Sequence, residues 1–460
     1  MIQFPGYETI IKKVYEYKQD HLFAYWNELN ETEKKAFLDE LSTIDFASLI
    51  GLFRETQQEA TIDSDYGPAP YIPRPRNDAE KKEWDKAAAL GVDLIRKGKV
   101  AGFIVAGGQG SRLGYDGPKG AFRMSPVMNK SLFQIHAEKM KKYSIKYNVI
   151  VPLFIMTSDV NHAATVAHFE ENNYFGMDKK DVFLFQQNMI PSLDTNGKLI
   201  LSGKCSIFKN PDGHGGSLTA LRTSSALDEM KKRGIEIMTY IQVDNPLVNI
   251  VDPSFVGFHA MNGADISSKA LIKAYPEEKI GSFVKFSSGK EGVVEYSDLP
   301  KEKMFAKNAD GTLLFAPGSI AIHVFSRQFI EEITSGGSIS LPFHVARKKI
   351  KQYQPAGAVE IDGFKFEKFV FDAMPLAKKS VTIETIREEE FAPVKNATGI
   401  DSVDTSQELM SNLFKSWCVK RKISIPSKVR VIEISPLAAV EADDLDGSVI
   451  IPDQEKVYIG

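Results

Sequence analysis

The chain has 460 residues, with 57 Lys and Arg against 60 Asp and Glu, a net charge of −3, and 43% hydrophobic and 25% charged residues. That near-neutral balance suits a globular protein with a sizeable core and leaves no electrostatic footprint for nucleic-acid or membrane-surface binding. Its two cysteines, Cys205 and Cys418, stand far apart and outside any CxxC context, which excludes a disulfide framework and a four-thiolate zinc site and makes a reducing cytoplasm the simplest setting.

The first eight residues contain no basic stretch leading into an apolar run. The longest apolar runs, such as 149–156, fall far short of the ~18–20 residues that span a bilayer, so neither secretion nor membrane insertion is expected. Residues 1–98 read as a helical region: Asn30 stands three before Glu33 in capping-box spacing, and Phe37, Leu38, Leu41 and Ile44 follow at helical intervals. The proline-rich run 67–75 cannot be helical, because proline fixes φ and removes the N–H, so it predicts an extended strap. A helix over 78–97 follows.

From Val100 onward, short apolar runs alternate with amphipathic segments. Strands are expected over 100–106, 149–157, 182–186 and 235–243, with helices near 131–147, 161–172 and 218–232. This rhythm predicts βαβ units and an α/β core of doubly wound type, its sheet mixed, mostly parallel and covered on both faces. Between 265 and 324 the alternation, as in Gly292-Val293-Val294-Glu295-Tyr296, adds antiparallel strands. From 399 to 460 a helix around 406–419 and strands over 428–434 and 447–451 predict a small β-rich C-terminal domain, which leaves 99–398 for the core.

Directly after the first of these strands stands Gly107-Gly108-Gln109-Gly110-Ser111-Arg112-Leu113-Gly114, followed by Tyr115-Asp116-Gly117-Pro118-Lys119-Gly120. A glycine-dense strand-to-helix loop brings backbone N–H groups close to an anion without side chains in the way, and Arg112 and Lys119 add positive charge. The P-loop pattern fails, since Pro118 precedes Lys119 and Gly120 follows it where Ser or Thr is needed. The dinucleotide fingerprint fails as well, because Leu113 occupies the place of its third glycine, which disfavours a dinucleotide-dependent oxidoreductase. The loop reads as a phosphate binder of another kind.

The segment 105–114, together with Pro118-Lys119-Gly120, resembles the nucleotide-binding loop of the UTP-dependent sugar-1-phosphate uridylyltransferases, and in particular of the eukaryotic-type UDP-N-acetylglucosamine pyrophosphorylases. The resemblance continues in order through the blocks 185–189, 211–216, 243–245, 294–297, 344–350, 365–372, 387–397 and 433–437. It implies a Rossmann-like nucleotidyltransferase core and a reaction in which a sugar-1-phosphate oxygen attacks the α-phosphorus of UTP, forming a UDP-sugar and releasing pyrophosphate. Both reactants are polyanions and the nucleophile is already ionised, so positioning and cations should carry the catalysis.

What the resemblance implies for single residues follows. Arg112, Lys119 and Lys365 are the expected catalytic cations. Ala106, Gly107, Gly108, Gln187, Gly213 and Asp244 are expected to bind UTP, with Gln187 reading the uracil edge and Gly213 letting the backbone approach the base. Asp244 ends the run 237–243, at the carboxyl end of a buried strand, and is also the expected ligand of Mg²⁺. His214, Glu295, Tyr296, Ser319 and Lys395 are expected on the sugar-phosphate side. Two of these depart from the family pattern, which usually has Asn where this chain has His214 and Ser319. The resemblance makes N-acetylglucosamine-1-phosphate the leading substrate, and the two departures bring in glucose-1-phosphate or galactose-1-phosphate as alternatives. A non-catalytic UDP-sugar-binding protein is the rival from another class, and the joint presence of Arg112, Lys119, Asp244, Lys365 and Lys395 argues against it.

Overall fold

A computed structural model describes residues 1–56, 65–337 and 341–460. The chain divides into two compact units, neither of them a single continuous stretch.

One unit comprises Met1–Ser64, Asn188–Gly216 and Leu341–Val370. Of its helices Glu8–Glu16, Glu31–Ser42 and Phe46–Glu55, the second and third are started by side-chain caps. Asn30 Oδ1 accepts from Glu33 N at 2.9 Å while Glu33 Oε2 accepts from Asn30 N at 2.8 Å, the expected capping box, and Asp45 caps the third helix through Ser48 N. A three-stranded antiparallel sheet runs His344–Gln352, Val359–Glu367 and Leu193–Asp194. Its core joins Val14, Leu22, Phe37, Leu38, Leu41 and Phe46 from the first segment to Leu193, Leu199 and Leu201 from the second and Phe366 from the third. Each such side chain contributes roughly 1.5–3 kcal/mol on burial, so the three segments depend on one another for their stability.

The other unit comprises Asp65–Gln187, Ser217–Ser340 and Phe371–Gly460 and is built on a ten-stranded mixed sheet among the described residues. Along its main path the order is Tyr66–Pro68, Ser282–Phe286, Pro317–Ser326, Ile237–Gln242, Val100–Val105, Leu153–Thr157 and Val182–Gln186. The last four are parallel, and their carboxyl ends are level: Gln242 pairs with Val105, Val105 with Met156, and Thr157 with Gln186. Val100–Val105 and Leu153–Thr157 are buried throughout, as the unbroken apolar runs predict for strands covered on both faces. From Val100–Val105 the chain steps outward to Leu153–Thr157 and Val182–Gln186, then returns to the opposite side at Ile237–Gln242. This reversal opens a crevice at the carboxyl ends, where open α/β sheets take their ligands. The expected antiparallel addition is present, Ile266–Ile272 pairing with Pro317–Ser326, and Ser282–Phe286 with Glu291–Val294.

Three sequence expectations are corrected. The strand expected over 149–157 begins only at Leu153, after Pro152, which has no N–H to give to a ladder. The helix expected over 218–232 is two helices, Gly216–Thr223 and Ala226–Lys232, broken where Ser225 adopts φ 63°, a left-handed conformation that no helix continues through. No strand forms over 447–451. Lys456–Ile459 pairs parallel with Val431–Ile434 instead, because Val457 and Ile459 turn into the core whereas Ile450 is 90% exposed. That strand pair and the helix Val403–Lys420 share one hydrophobic cluster with the main sheet, bringing Met410, Phe414, Ile432 and Val457 together with Ile135, Met140 and Tyr143.

Two buried histidines are expected to make this unit sensitive to acid. His136 is fully buried and His259 2% exposed, and burial pushes both down to about 3. Below the ordinary histidine value of 6.5 the unfolded chain takes up protons that the folded one refuses, so stability is lost as pH falls, by roughly 1.4 kcal/mol per pH unit for each histidine. Thermal midpoints measured from pH 7.5 to 5 should fall steeply below about pH 6.5 and flatten when His136 and His259 are both replaced by glutamine. A flat wild-type profile would show that these rings are protonated in the fold.

Candidate active site

The glycine loop leaves the carboxyl end of Val100–Val105 and folds back on itself. Gly110 N donates to Gly117 O at 2.9 Å, and Lys119 N returns to Gly108 O at 3.1 Å. Its carbonyls are held from behind: Asn161 Nδ2 donates to Ala106 O at 2.9 Å and to Gly108 O at 3.1 Å, and Ser158 Oγ donates to Gly107 O at 2.8 Å. In a trans peptide the C=O of one residue and the N–H of the next point in opposite directions, so these bonds turn the N–H groups of Gly107, Gly108 and Gln109 away from Ser158 and Asn161. Both clamping residues are 1% exposed. Sequence reasoning misses them, because Ser-x-x-Asn between a strand and a helix reads as an ordinary helix start.

The hairpin delivers Lys119, 8% exposed, to Asp244, which follows the strand Ile237–Gln242. Lys119 Nζ lies 2.6 Å from Asp244 Oδ2. Gln187 leaves the carboxyl end of Val182–Gln186 with its N–H on Thr157 O at 2.8 Å, and its side-chain amide lies over Gly107, where a Cβ would come within 2.7 Å of Nε2. The structure thus brings Ala106, Gly107, Gly108, Lys119, Gln187 and Asp244 to one strand edge. Arg112 stands exposed on the turn Ser111–Leu113 at the loop's outer rim. Lys395 is drawn close by its neighbour, since Val394 N donates to Asp244 O at 2.8 Å, and its own ammonium lies 3.3 Å from Asp401.

Elsewhere in the same unit, Glu295 and Ser319 flank Gly281. Ser319 N donates to Gly281 O at 2.8 Å, and a Cβ on Gly281 would be 3.4 Å from Glu295 Oε1. Tyr296 beside them is 38% exposed. Lys273, which nothing in the sequence singles out, is 6% exposed here; burial pulls its ammonium below the usual range against the attraction of Glu278 and Glu295.

The remaining expected residues belong to the other unit. Gly213 has φ 85°, and a Cβ there would strike the Lys368 backbone at 2.5 Å, so the turn admits only glycine. The His214 ring stacks on Phe369 at 5.2 Å, and His344 stacks on Phe369 at 4.0 Å. Val370 N donates to His214 Nδ1 at 3.1 Å, which assigns the ring proton to Nε2, and burial together with His344 pushes His214 down to about 4. Asp212, at the head of this turn, is pushed up to about 7 by burial. Lys365, on Val359–Glu367, holds its ammonium 5.5 Å from the centre of the Phe208 ring.

An α/β sheet that gathers a glycine loop, a side-chain amide and a lysine–carboxylate pair at the carboxyl ends of parallel strands has the architecture of the nucleotide-binding proteins. The comparisons narrow that class. Residues 52–441 match the profile of the family described as UTP–glucose-1-phosphate uridylyltransferase, and the chain belongs to that family. It is 33% identical over 465 residues to a probable UDP-N-acetylglucosamine pyrophosphorylase of Dictyostelium discoideum, covering 96% of this chain and 95% of that protein. It is 32% identical over 468 residues to UDP-N-acetylglucosamine diphosphorylase 2 of Arabidopsis thaliana, covering 96% and 91%. Among solved structures, the uridine diphosphate N-acetylglucosamine pyrophosphorylase of Trypanosoma brucei in complex with an inhibitor superposes with a TM-score of 0.82 at 27% identity, over 96% of this chain and 95% of that one.

Proposed function

We propose that the chain joins UTP to N-acetylglucosamine-1-phosphate, forming the UDP-sugar and pyrophosphate. The observation that carries this reading is the Lys119–Asp244 pair beside the glycine loop, with the relatives' names supporting the sugar. One oxygen of the sugar phosphate forms a bond to the α-phosphorus while the bond to the β-phosphate oxygen breaks, and pyrophosphate leaves with the electron pair. The N–H groups after Ala106, Gly107 and Gly108 cradle the UTP phosphates, and Gln187 reads the uracil edge by donating and accepting. Lys119 and Arg112 offset the charge that develops on the phosphates. Glu295, Tyr296 and Ser319 meet the sugar, and Lys395 its phosphate.

Asp244 is a hard oxygen donor, partly exposed. Among the described residues no three His, Cys, Asp or Glu converge on a metal-sized site. This donor set suits Mg²⁺ held by one carboxylate together with substrate phosphates, and the bound ion supplies charge neutralisation. Among the described residues no helix is long and apolar enough to cross a membrane. The two free cysteines suit a reducing cytoplasm.

At position 214 the neutral ring offers one donor, Nε2–H, where asparagine would offer an amide. Pyrophosphate release with UTP, Mg²⁺ and a panel of N-acetylglucosamine-, N-acetylgalactosamine-, glucose- and galactose-1-phosphate should be fastest with N-acetylglucosamine-1-phosphate. Preference for an unsubstituted hexose would move the substrate, and no release with any sugar, alongside tight UDP-sugar binding, would make the protein a binder.

A further inference from the structure

Behind the strand edge that carries Asp244 lies a set of buried charges that the reading above leaves unused. Lys269, 1% exposed, is ion-paired with Asp252 Oδ2 at 2.7 Å and with Glu390 Oε1. Burial raises the Glu390 carboxyl above its ordinary value, while the two carboxylates keep Lys269 charged. Glu390 reaches the site through short links. Its backbone oxygen accepts from Asn245 Nδ2 at 2.6 Å, and its Oε2 accepts from Asn249 N at 3.4 Å. Two residues on, Ala392 N donates to Asn245 Oδ1 at 3.1 Å, and then Val394 N donates to Asp244 O at 2.8 Å. The segment from Glu390 to Val394 is therefore laced along Asp244 and Asn245, and Lys395 comes next.

The opposite side of the same loop is held by the helix Leu132–Tyr147. His136 Nε2 donates to Val243 O at 2.9 Å, Lys139 Nζ donates to Pro246 O at 2.6 Å and Val248 O at 2.8 Å, and the Tyr143 hydroxyl bonds Asn249. The loop from Val243 to Asn249 is thus clamped on both sides, and one of the two clamps ends in a buried ion pair.

A buried ion pair is a poor way to stabilise a fold, since well-packed apolar side chains of similar volume commonly do as well or better. What it does supply is a single register for the groups it joins. We propose that Glu390 and Lys269 are positioning residues for the reaction: their ion pair fixes the segment from Glu390 to Val394 and, through Asn245, holds Asp244 and Lys395 in place for the substrate phosphates. The proposal rests on the reading of Asp244 as the metal- and phosphate-side carboxylate.

The test uses the full chain with three variants, E390Q, the double variant K269M/E390M, and D244N. For each, kcat, the KM for UTP, the Mg²⁺ concentration at half-maximal rate and the thermal midpoint are measured. E390Q is expected to lose about 10–100-fold in kcat, with the KM for UTP changed less than about threefold and the Mg²⁺ requirement raised severalfold. The double variant removes one positive and one negative charge, and Asp252, which loses its ion pair with Lys269, keeps its cap bonds to Ser254 N and Phe255 N. Because Asp252 is left without its lysine, the thermal midpoint is expected to fall, so kcat and the Mg²⁺ requirement are measured at a temperature where circular dichroism shows the variant folded, and there it should show the same losses as E390Q. Wild-type kcat and Mg²⁺ requirement in the double variant, or in E390Q, overturn the proposal and leave the pair a purely structural role. D244N separates the two readings. If it retains wild-type rate and metal requirement, the assignment of Asp244 fails; if it is impaired while the Glu390 variants are not, only the positioning role fails.

Discussion

Replacing Lys119 with alanine is expected to slow uridylyl transfer by about 10²–10³-fold while changing UTP affinity by no more than about threefold. The asymmetry follows from how the loop is built. On the proposed reading UTP affinity should come mainly from backbone N–H groups, whose orientation is set by Ser158 and Asn161 from behind, and the alanine variant keeps all of those bonds. The ammonium is a different kind of contributor. It lies 2.6 Å from Asp244 with both side chains mostly buried, a setting of low dielectric where a charge aimed at developing negative charge has a large effect. Steady-state pyrophosphate release gives the turnover, and an equilibrium titration with UTP gives the affinity. Equal losses in both would make Lys119 a ground-state binding residue, and no loss in either would reduce it to a loop lysine.

Gly120→Ala should produce the largest stability effect near the site. A Cβ at this position would fall 2.2–2.5 Å from three ring carbons of Phe133. The ring has little room to yield: Phe133 is fully buried and packs against Phe169 with centroids 5.1 Å apart. Overpacking of this kind costs about 1–3 kcal/mol. The backbone that must shift also carries Lys119, so turnover should fall at least tenfold, to about a tenth of wild type or less. The compensating double variant Gly120→Ala with Phe133→Leu makes space for the methyl group and should recover much of the thermal midpoint. An alanine variant as stable and active as wild type would show that the turn moves freely.

How far the molecule is legible in its sequence differs from element to element. The parallel strands are legible because Val100–Val105 and Leu153–Thr157 are buried on both faces, and so carry unbroken apolar runs whose ends mark the strand ends. The capping box at Asn30 and Glu33 is legible because it is a contact between residues three apart. Ser225 is not, since a serine in a left-handed conformation carries no mark that an ordinary helical serine lacks. In the candidate site, the glycine loop and the strand-end Asp244 announce themselves, but their pairing does not: Lys119 and Asp244 meet across 125 positions through the register of two strands. Asn245 stands beside Asp244 and Glu390 falls in one of the blocks of the resemblance, but their meeting with Lys269 is less visible still, because it appears only when three distant segments are brought side by side.

The first unit's core draws on residues near both ends of a long interval, with Phe37 and Leu41 on one side and Phe366 on the other. A ribosome making this chain therefore releases the first three helices roughly 280 residues before the last segment of their unit, Leu341–Val370, is synthesised. At elongation rates of about 5–20 residues per second, their apolar faces wait for about 15–60 s without their final partners. During that interval the apolar faces of the nascent amino-terminal helices are open to aggregation and to chaperones, although in the finished molecule they are buried.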